Sequence, residues 1–454
     1  MASIHVLETI TGECLDLSFE GKGVVRDGDR TIFVTGMFPG DKGEVDILYK
    51  RNGVFFGRIH KLSELSPDRI KPVCKVCTSC GGCCFQAYRY SAQLAFKKKL
   101  VEEQFRKVGH MQIEAFETLG MNNPFNYRNK VQVPFGMDQW HQNIIYGFYK
   151  EGTHIIVKNE DCAIEDVRGN KIVKELCNMF TELQIMPYEE KTGEGYIRHA
   201  LVRTSKHFNE IMLVIVSTKV YFPRKDRLVE LIKERLPEVT TVVENINGEK
   251  TNIILGEKDK ILFGKGYIND TLCGVKFRIS AKSFYQTNPI MTEILYKTAM
   301  DYANITENDV VFDAYSGIGT IGLIAATKGA KHVTAVENVK EAVEDAIYNA
   351  KANNIANYEA VCDDATEYLV KAAKEGKKID LLFMDPPRKG STTEFINAVK
   401  EIAPNRIVYV SCNPSTLARD CAQFVDKYNV IKIQPVDLFP HTSHVECITL
   451  LCRK

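Results

Sequence analysis

The sequence predicts an α/β protein whose C-terminal third is a doubly wound parallel sheet, preceded by a small β-barrel and a β-rich central section. Three observations carry this reading. From Asn308 onward, short apolar runs alternate with helix-length amphipathic stretches, as in successive β-α units. Before residue 65 the apolar runs are all short and are separated by Gly- and Pro-containing turns, the pattern of a small barrel. Between the two lie several β-like runs punctuated by only a few helical stretches. The divisions drawn on this basis are 1–65, 66–285 and 286–454.

Bulk properties narrow the class. At 454 residues the chain exceeds one ordinary core, and with 44% hydrophobic and 26% charged residues it has the composition of a folded, soluble protein. The stretch Met1–Thr9 lacks a basic segment followed by an apolar one, so no secretory leader is expected. No uninterrupted apolar run reaches the ~18 residues of a membrane span. A cytoplasmic monomer with no membrane partner is therefore the expectation. In that reducing setting fourteen cysteines point to metal binding or catalysis rather than disulfides. The net charge of +1 excludes strong global attraction for nucleic acid. Locally, however, Arg69–Lys130 holds eleven Lys/Arg against Glu102, Glu103, Glu114 and Glu117, a surplus suited to phosphates.

Taken in order, the barrel section has strand-like runs at 31–34, 43–49 and 53–59, with turns at Glu20-Gly-Lys-Gly and Phe38-Pro-Gly-Asp. Next comes Cys74-Lys-Val-Cys77-Thr-Ser-Cys80-Gly-Gly-Cys83-Cys84. Thiolates this dense bind an iron–sulfur cluster or zinc. Cys-x-x-Cys occurs in three registers, so spacing alone leaves the ligand set open; the isolated Cys162 is a candidate distant ligand. The spacing then predicts a helix over 91–108, with Leu94, Leu100, Val101, Phe105 and Val108 as its apolar stripe. Strands are expected at 127–134, 144–149, 200–204 and 211–216, and helices at 171–183 and 225–235. Arg128 and Lys130 are expected to be solvated.

In the C-terminal section, strands are expected at 309–315, 332–337, 358–362, 379–384 and 406–410, with helices between them. The last two runs, 430–436 and 447–452, have no helix between them and predict an antiparallel hairpin at the sheet edge. The first strand leads into Asp313-Ala-Tyr315-Ser-Gly317-Ile-Gly319-Thr-Ile-Gly322, a Gly-x-Gly-x-x-Gly turn at a helix N-terminus. Glu337, ending the second strand, suits a ribose. NAD and S-adenosylmethionine both carry one, so the turn does not choose between them. The fourth strand does: Asp385-Pro386-Pro387-Arg388-Lys389-Gly390 forms a rigid loop that resembles those of nucleobase methyltransferases. Asp363 and Asp364, off the third strand, stand where an acid reaches an adenine amino group.

The fifth strand ends Val410-Ser411-Cys412-Asn413-Pro414, delivering a thiol to the carboxyl end of the sheet, where ligands bind. Methylation of uracil at C5 needs such a thiol, because addition to C6 is what makes C5 nucleophilic. It also needs a base for the C5 proton. Glu446, in His441-Thr-Ser-His444-Val-Glu446-Cys447, is the candidate, with His441 and His444 as rivals.

Phe284-Tyr-Gln286-Thr-Asn-Pro, the Asp313–Gly319 turn, Asp385-Pro-Pro-Arg-Lys-Gly, Ser411-Cys-Asn-Pro and His444-Val-Glu446 together resemble the RNA (uracil-5-)-methyltransferase family. The resemblance implies a Rossmann-like class I S-adenosylmethionine-dependent methyltransferase domain, with an N-terminal OB-like barrel and a β-rich central domain. It implies Cys412 as nucleophile and Glu446 as base. Gln286, Tyr315, Glu337 and Asp385, with Asp364 added, are then the cofactor contacts. The stretches Gly21-Lys-Gly-Val and Phe33-Val-Thr-Gly-Met-Phe-Pro-Gly-Asp resemble a TRAM domain, an RNA-binding module. With the cysteine run they are similar to the iron–sulfur branch that modifies 23S ribosomal RNA. That branch's pattern falls on Cys74, Cys80, Cys83 and Cys162 and implies a [4Fe–4S] cluster with a structural or RNA-positioning role; zinc is the alternative. Rival readings are a transfer RNA substrate, an amino-directed nucleobase methyltransferase and a non-catalytic RNA-binding protein.

Overall fold

The computed structural model describes residues 6–454; the first five, part of the stretch read for a leader, lie outside it. Five strands, β1 (Glu8–Leu17), β2 (Gly23–Asp27), β3 (Arg30–Thr35), β4 (Lys42–Arg51) and β5 (Val54–Glu64), close into a barrel of order β1-β2-β3-β5-β4. Only β3 and β5 run parallel. Val25, Ile32, Val34, Val45 and Ile47 fill its interior with Cys14. The first two strands go beyond the sequence expectation. In β1, Thr and Glu alternate with few apolar residues, and most of the strand is open to solvent. Among the described residues no helix is long and apolar enough to cross a membrane.

Past the cysteine run comes α1 (Tyr90–Lys107), then β6 (Lys130–Met137), β7 (Ile144–Tyr149), β8 (Ile156–Lys158) and α2 (Val167–Glu182). They are followed by β9 (Ile197–Thr204), β10 (Ile211–Ser217), α3 (Lys225–Arg235), β11 (Thr241–Ile246) and β12 (Lys258–Phe263). These strands form one sheet, ordered β12-β11-β10-β9-β6-β7-β8. In β10, Ile211, Leu213 and Ile215 pack with α2 and α3, while Met212 and Val214 point to the opposite face. Both faces are covered, so the strand reads as an unbroken apolar run. β12 is the reverse case: Lys258-Asp-Lys-Ile-Leu-Phe is a largely exposed edge, and its charges give no strand signal.

The hairpin β13 (Tyr267–Leu272) and β14 (Val275–Ser280) leads to α4 (Pro289–Ala303). The last sheet is built from β15 (Val310–Ala314), α5 (Thr320–Thr327), β16 (His332–Glu337), α6 (Lys340–Ala352), β17 (Tyr358–Cys362) and α7 (Ala365–Lys374). It continues with β18 (Leu381–Met384), α8 (Thr393–Ile402), β19 (Arg406–Ser411), α9 (Pro414–Phe424), β20 (Tyr428–Val436) and β21 (Glu446–Arg453). The strand order is β17-β16-β15-β18-β19-β21-β20. The final hairpin forms as expected, and it enters β21 first, antiparallel to β19, leaving β20 as the edge.

Helix α1 packs against this last sheet. Phe96, Leu100, Val101 and Phe105 share a core with Leu417, Cys421, Phe424 and Tyr428. The apolar stripe expected for the helix is only partly the buried one. Leu94 is half-buried and Val108 exposed, whereas Gln93 and Lys97 lie on the buried face. The Lys97 ammonium pairs with Asp437, both side chains being fully buried, and the Tyr90 hydroxyl donates to the other Asp437 oxygen at 2.8 Å. Taking two charges out of water costs several kcal/mol per ion, which only close pairing offsets. Lys97→Met should therefore destabilise the protein by about 3–5 kcal/mol, because Asp437 is left buried without its cation. A shift of the urea midpoint at unchanged slope measures it. The double variant Lys97→Met/Asp437→Leu should lose less than the sum of the two single changes.

Candidate active site and cysteine cavity

Strand order reverses direction between β15 and β18, and in an open α/β sheet the ligand crevice lies off the carboxyl ends at that point. Ala314 pairs with Met384, so Tyr315 and Asp385 emerge side by side there. Four of the sequence-predicted site residues, Tyr315, Glu337, Asp364 and Asp385, end or follow strands at this edge of the sheet, and Gln286 lies beside Tyr296. Asp385 is freed of water by burial, which pushes its carboxyl up to about 7. Glu337 bridges two turns: one oxygen accepts from the Gly317 amide at 3.0 Å and the other from Val339 at 2.9 Å. Tyr315 takes φ 61°, an outlier for an aromatic residue, and packs on Phe395 with ring centroids 5.4 Å apart. Gln286 is half-buried beside Tyr296, and its carbonyl accepts from the Asn129 amide at 3.2 Å. Asp364 caps α7, accepting from the amides of Thr366 and Glu367 at 2.8 and 3.1 Å.

The glycine-rich turn is locked from beneath. Asp313 is fully buried, and one carboxyl oxygen accepts from the Gly322 amide at 2.8 Å. A Cβ at Gly319, where φ is 81°, would stand 2.5 Å from the Tyr358 hydroxyl. Only glycine fits that position.

Cys412 lies one residue past β19. In the antiparallel β19–β21 pair, Arg406 stands opposite Cys452 and Ser411 opposite Cys447. The next step of that register brings Cys412 to Glu446. Asn413 caps α9 by accepting from the Ser415 amide at 3.1 Å, with Pro414 at the first helical position, so the backbone after Cys412 is fixed. The Asn413 side-chain amide also donates to the Arg388 carbonyl at 3.0 Å, joining the Asp-Pro-Pro loop to the thiol's helix. Burial pushes the Cys412 thiol up to about 11; Glu446 and Asp385 add to that, and Arg388 opposes it. Burial likewise raises Glu446 to about 8, helped by Asp385.

The two histidines near Glu446 differ in setting. His441 is buried against α1, stacked on Phe125 at 4.7 Å. His444 is exposed at the mouth, its Nδ1 3.5 Å from the Arg388 guanidinium. Burial lowers His441 to about 4, so it is neutral at neutral pH. His444, open to solvent, is also pushed down, by partial burial and by the Arg388 guanidinium beside it, which opposes its protonation.

Elsewhere, Cys74, Cys77, Cys80, Cys83 and Cys162 line one cavity of about 30 Å³. The fold thus brings the distant Cys162 to the cysteine run. Cys84 does not line it and turns toward Ser443. Among the described residues no three Cys, His, Asp or Glu gather tightly enough to hold a single metal ion. Arg128, expected to be solvated, instead lines this cavity, and its Nε is buried without a partner, as is Gln86 Oε1. Lys130 is also drawn inward, and burial lowers its ammonium to about 8. The reason is packing: the segment before β6 runs under Glu165 and the 287–288 turn, which remove it from water. Sequence reading missed Arg128, Gln93 and Lys97 because periodicity assigns charged and amide residues to solvent.

With the geometry in place, comparison with known proteins identifies the lineage. The family model for tRNA (uracil-5-)-methyltransferases matches residues 89–454. An uncharacterized RNA methyltransferase of Listeria monocytogenes is 41% identical over 437 residues, covering 96% of each chain. One from Halalkalibacterium halodurans is 39% identical over 438 residues, covering 96% of this chain and 95% of that one. Among solved structures, the Pyrococcus abyssi tRNA (uracil-54, C5)-methyltransferase in complex with S-adenosyl-L-homocysteine superposes with a TM-score of 0.78 at 26% identity. That match covers 97% of this chain and 99% of the other. By its sequence, its relatives and its crevice, the chain belongs to the tRNA (uracil-5-)-methyltransferase family.

Proposed function

We propose that the protein uses S-adenosylmethionine to methylate C5 of a uridine in 23S ribosomal RNA, through a covalent adduct with Cys412. The observation that carries this reading is the strand register that sets a thiol opposite a buried carboxyl, beside the Asp385 loop. Amino-directed methylation requires no such pair. The choice of 23S ribosomal RNA rests on the sequence resemblance of the cysteine run and the barrel section to the iron–sulfur branch. A transfer RNA substrate is the second reading, favoured by the substrate of the Pyrococcus abyssi enzyme.

In the proposed reaction Cys412, as thiolate, adds to C6 and pushes electron density onto C5 and O4. Tyr315, Glu337, Gln286 and Asp385 orient the cofactor, with Asp364 at the adenine end. C5 of the adduct would then form its bond to the electrophilic methyl group that S-adenosylmethionine supplies when bound, the electron pair of the broken S–CH3 bond leaving with the S-adenosylhomocysteine sulfur. Glu446 then removes the C5 proton, and the C6–S bond breaks with its electron pair returning to Cys412. Arg388 favours the thiolate electrostatically. Cys74, Cys80, Cys83 and Cys162 are the residues that would hold the [4Fe–4S] cluster of the iron–sulfur branch; all four line one cavity together with Arg128.

Mapping 5-methyluridine in ribosomal and transfer RNA from cells with and without this gene tests the substrate; a site lost only from transfer RNA selects the second reading. Cys412→Ala should lower turnover by about 10³-fold or more, and retained activity would refute the covalent mechanism.

Both reactive groups work deprotonated and both are raised by burial, so kcat/KM should climb as pH rises through neutrality and past about 8. A flat profile would count against the pair. Stability should move the other way. The folded Glu446 value of about 8 exceeds the ordinary 4.5, so the folded state holds the extra proton, and stability falls as pH rises between those values. Glu446→Gln should accordingly be near neutral in stability at about pH 4 and stabilising by about 2–4 kcal/mol at about pH 9, read from urea unfolding.

Protein prepared anaerobically should be brown and hold iron and acid-labile sulfide in equal amounts. A colourless protein with stoichiometric zinc would overturn the cluster assignment.

A further inference from the structure

The segment between β20 and β21, residues 437–445, has no regular structure, yet its backbone is held bond by bond. Four consecutive carbonyls accept from four different parts of the chain. Leu438 accepts from the Asn288 side-chain amide at 3.0 Å, and Phe439 from the Lys97 ammonium at 3.2 Å. Pro440 accepts from the Tyr127 hydroxyl at 3.0 Å, and His441 from the Phe85 backbone amide at 3.0 Å. His441 itself takes φ 66°, a left-handed conformation that a non-glycine residue keeps only under restraint.

Gln93 is where these restraints meet. It is fully buried on α1, and its Oε1 accepts from the His441 backbone amide at 3.0 Å. Its Nε2 donates to the carbonyls of Phe85 and Tyr88 at 3.0 and 2.7 Å and stands 3.3 Å from His441 Nδ1. One side-chain amide therefore ties the strained residue of the segment to the stretch that directly follows Cys83 and Cys84. An apolar side chain of equal volume would fill the space but leave the His441 amide and the Tyr88 carbonyl without the partner Gln93 supplies, while the Phe85 carbonyl keeps the Tyr88 amide.

The two reactive groups depend on this tie unequally. Cys412 is fixed by the Asn413 cap and by the Arg388 backbone carbonyl, neither of which bonds to His441; the Arg388 loop meets the segment only at its far end, where the guanidinium stands 3.5 Å from His444 Nδ1. Glu446 is the first residue of β21, and its backbone emerges directly from the segment. We propose that Gln93 is a positioning residue for Glu446: by holding His441 it sets the carboxylate against the substrate's C5 proton, and it governs proton removal rather than adduct formation. This inference rests on the roles given above to Cys412 and Glu446.

The test compares 23S ribosomal RNA and transfer RNA transcripts, each made with uridine and with 5-fluorouridine, whose C5 carries no removable proton. Adduct formation on the fluorinated RNA reports thiolate addition and methyl transfer; turnover on uridine RNA adds proton removal and release. For Gln93→Met, fluorinated adduct should form within about threefold of the wild-type rate, while uridine turnover falls about 100-fold, the cost of a misplaced reacting group. A denaturant-resistant, methylated protein–RNA complex should accumulate. Amide exchange should quicken over 438–446 and stay unchanged in β19. If Gln93→Met is insoluble, Gln93→Asn, whose shorter side chain falls short of the His441 amide, should give the same split. Equal losses on both RNAs, or unchanged uridine turnover, would overturn the proposal. Wild-type protein that methylates uridine yet forms no adduct on fluorinated RNA would instead overturn the covalent mechanism, and this role with it.

Discussion

β21 enters the C-terminal sheet between β19 and β20 and runs against β19, and the chemistry of the crevice depends on that insertion. Side chains on a strand alternate faces with period two, so a slip of one residue in this pairing would turn the Glu446 carboxyl away from Cys412. The register is secured on both sides. Ile448 and Leu450 belong to one core, while Cys447 and Leu451 belong to the other, so a slipped strand would lose both sets of contacts. The strand's first residue is the only one of these positions to carry a charge. It is also the residue nearest the carboxyl end of β19, where a parallel sheet presents its ligands.

What precedes β21 is fixed by residues from far away in sequence. Lys97 and Asp437 are 340 residues apart, and Gln93 and His441 are 348 apart. Such contacts impose specificity more than stability: a buried polar group restricts its partners to one geometry, since every alternative leaves a donor or acceptor unpaired. Helix α1 thus has two functions on one face. Its aromatic residues fill the core over α9, and its two polar residues define the path of the segment before β21.

Much of this was legible from the sequence alone. Strand β7 and helix α3 have the predicted limits, because Ile144-Ile-Tyr-Gly-Phe-Tyr and the Lys225–Arg235 stretch carry strong local patterns. Cys412 and Glu446 stood out because the chemistry of C5 methylation demands a thiol and a base, and the register brings the two together. Exposed strands such as β12 were not legible, since an edge strand's charges erase the alternation that marks it. Nor were Arg128, Gln93 and Lys97. Their burial is imposed by segments distant in sequence, and no local periodicity encodes a partner hundreds of residues away.

The barrel and the central sheet each keep a core of their own, yet the three sections also share two larger ones. Leu17 and Phe38 of the barrel join α1 and the C-terminal sheet in one core, while Leu201, Met212 and Val214 of the central sheet join α4 and α5 in another. Moving one section against another would break these shared contacts. In the proposed reaction a pyrimidine ring stacked in a helix could not present C6 to the half-buried Cys412 sulfur, so the target base would have to leave its stack and rotate outward before bond formation begins. The energy for that rotation would come from contacts between protein and polynucleotide. Discrimination among sites follows in part from how readily each one gives up its stacking.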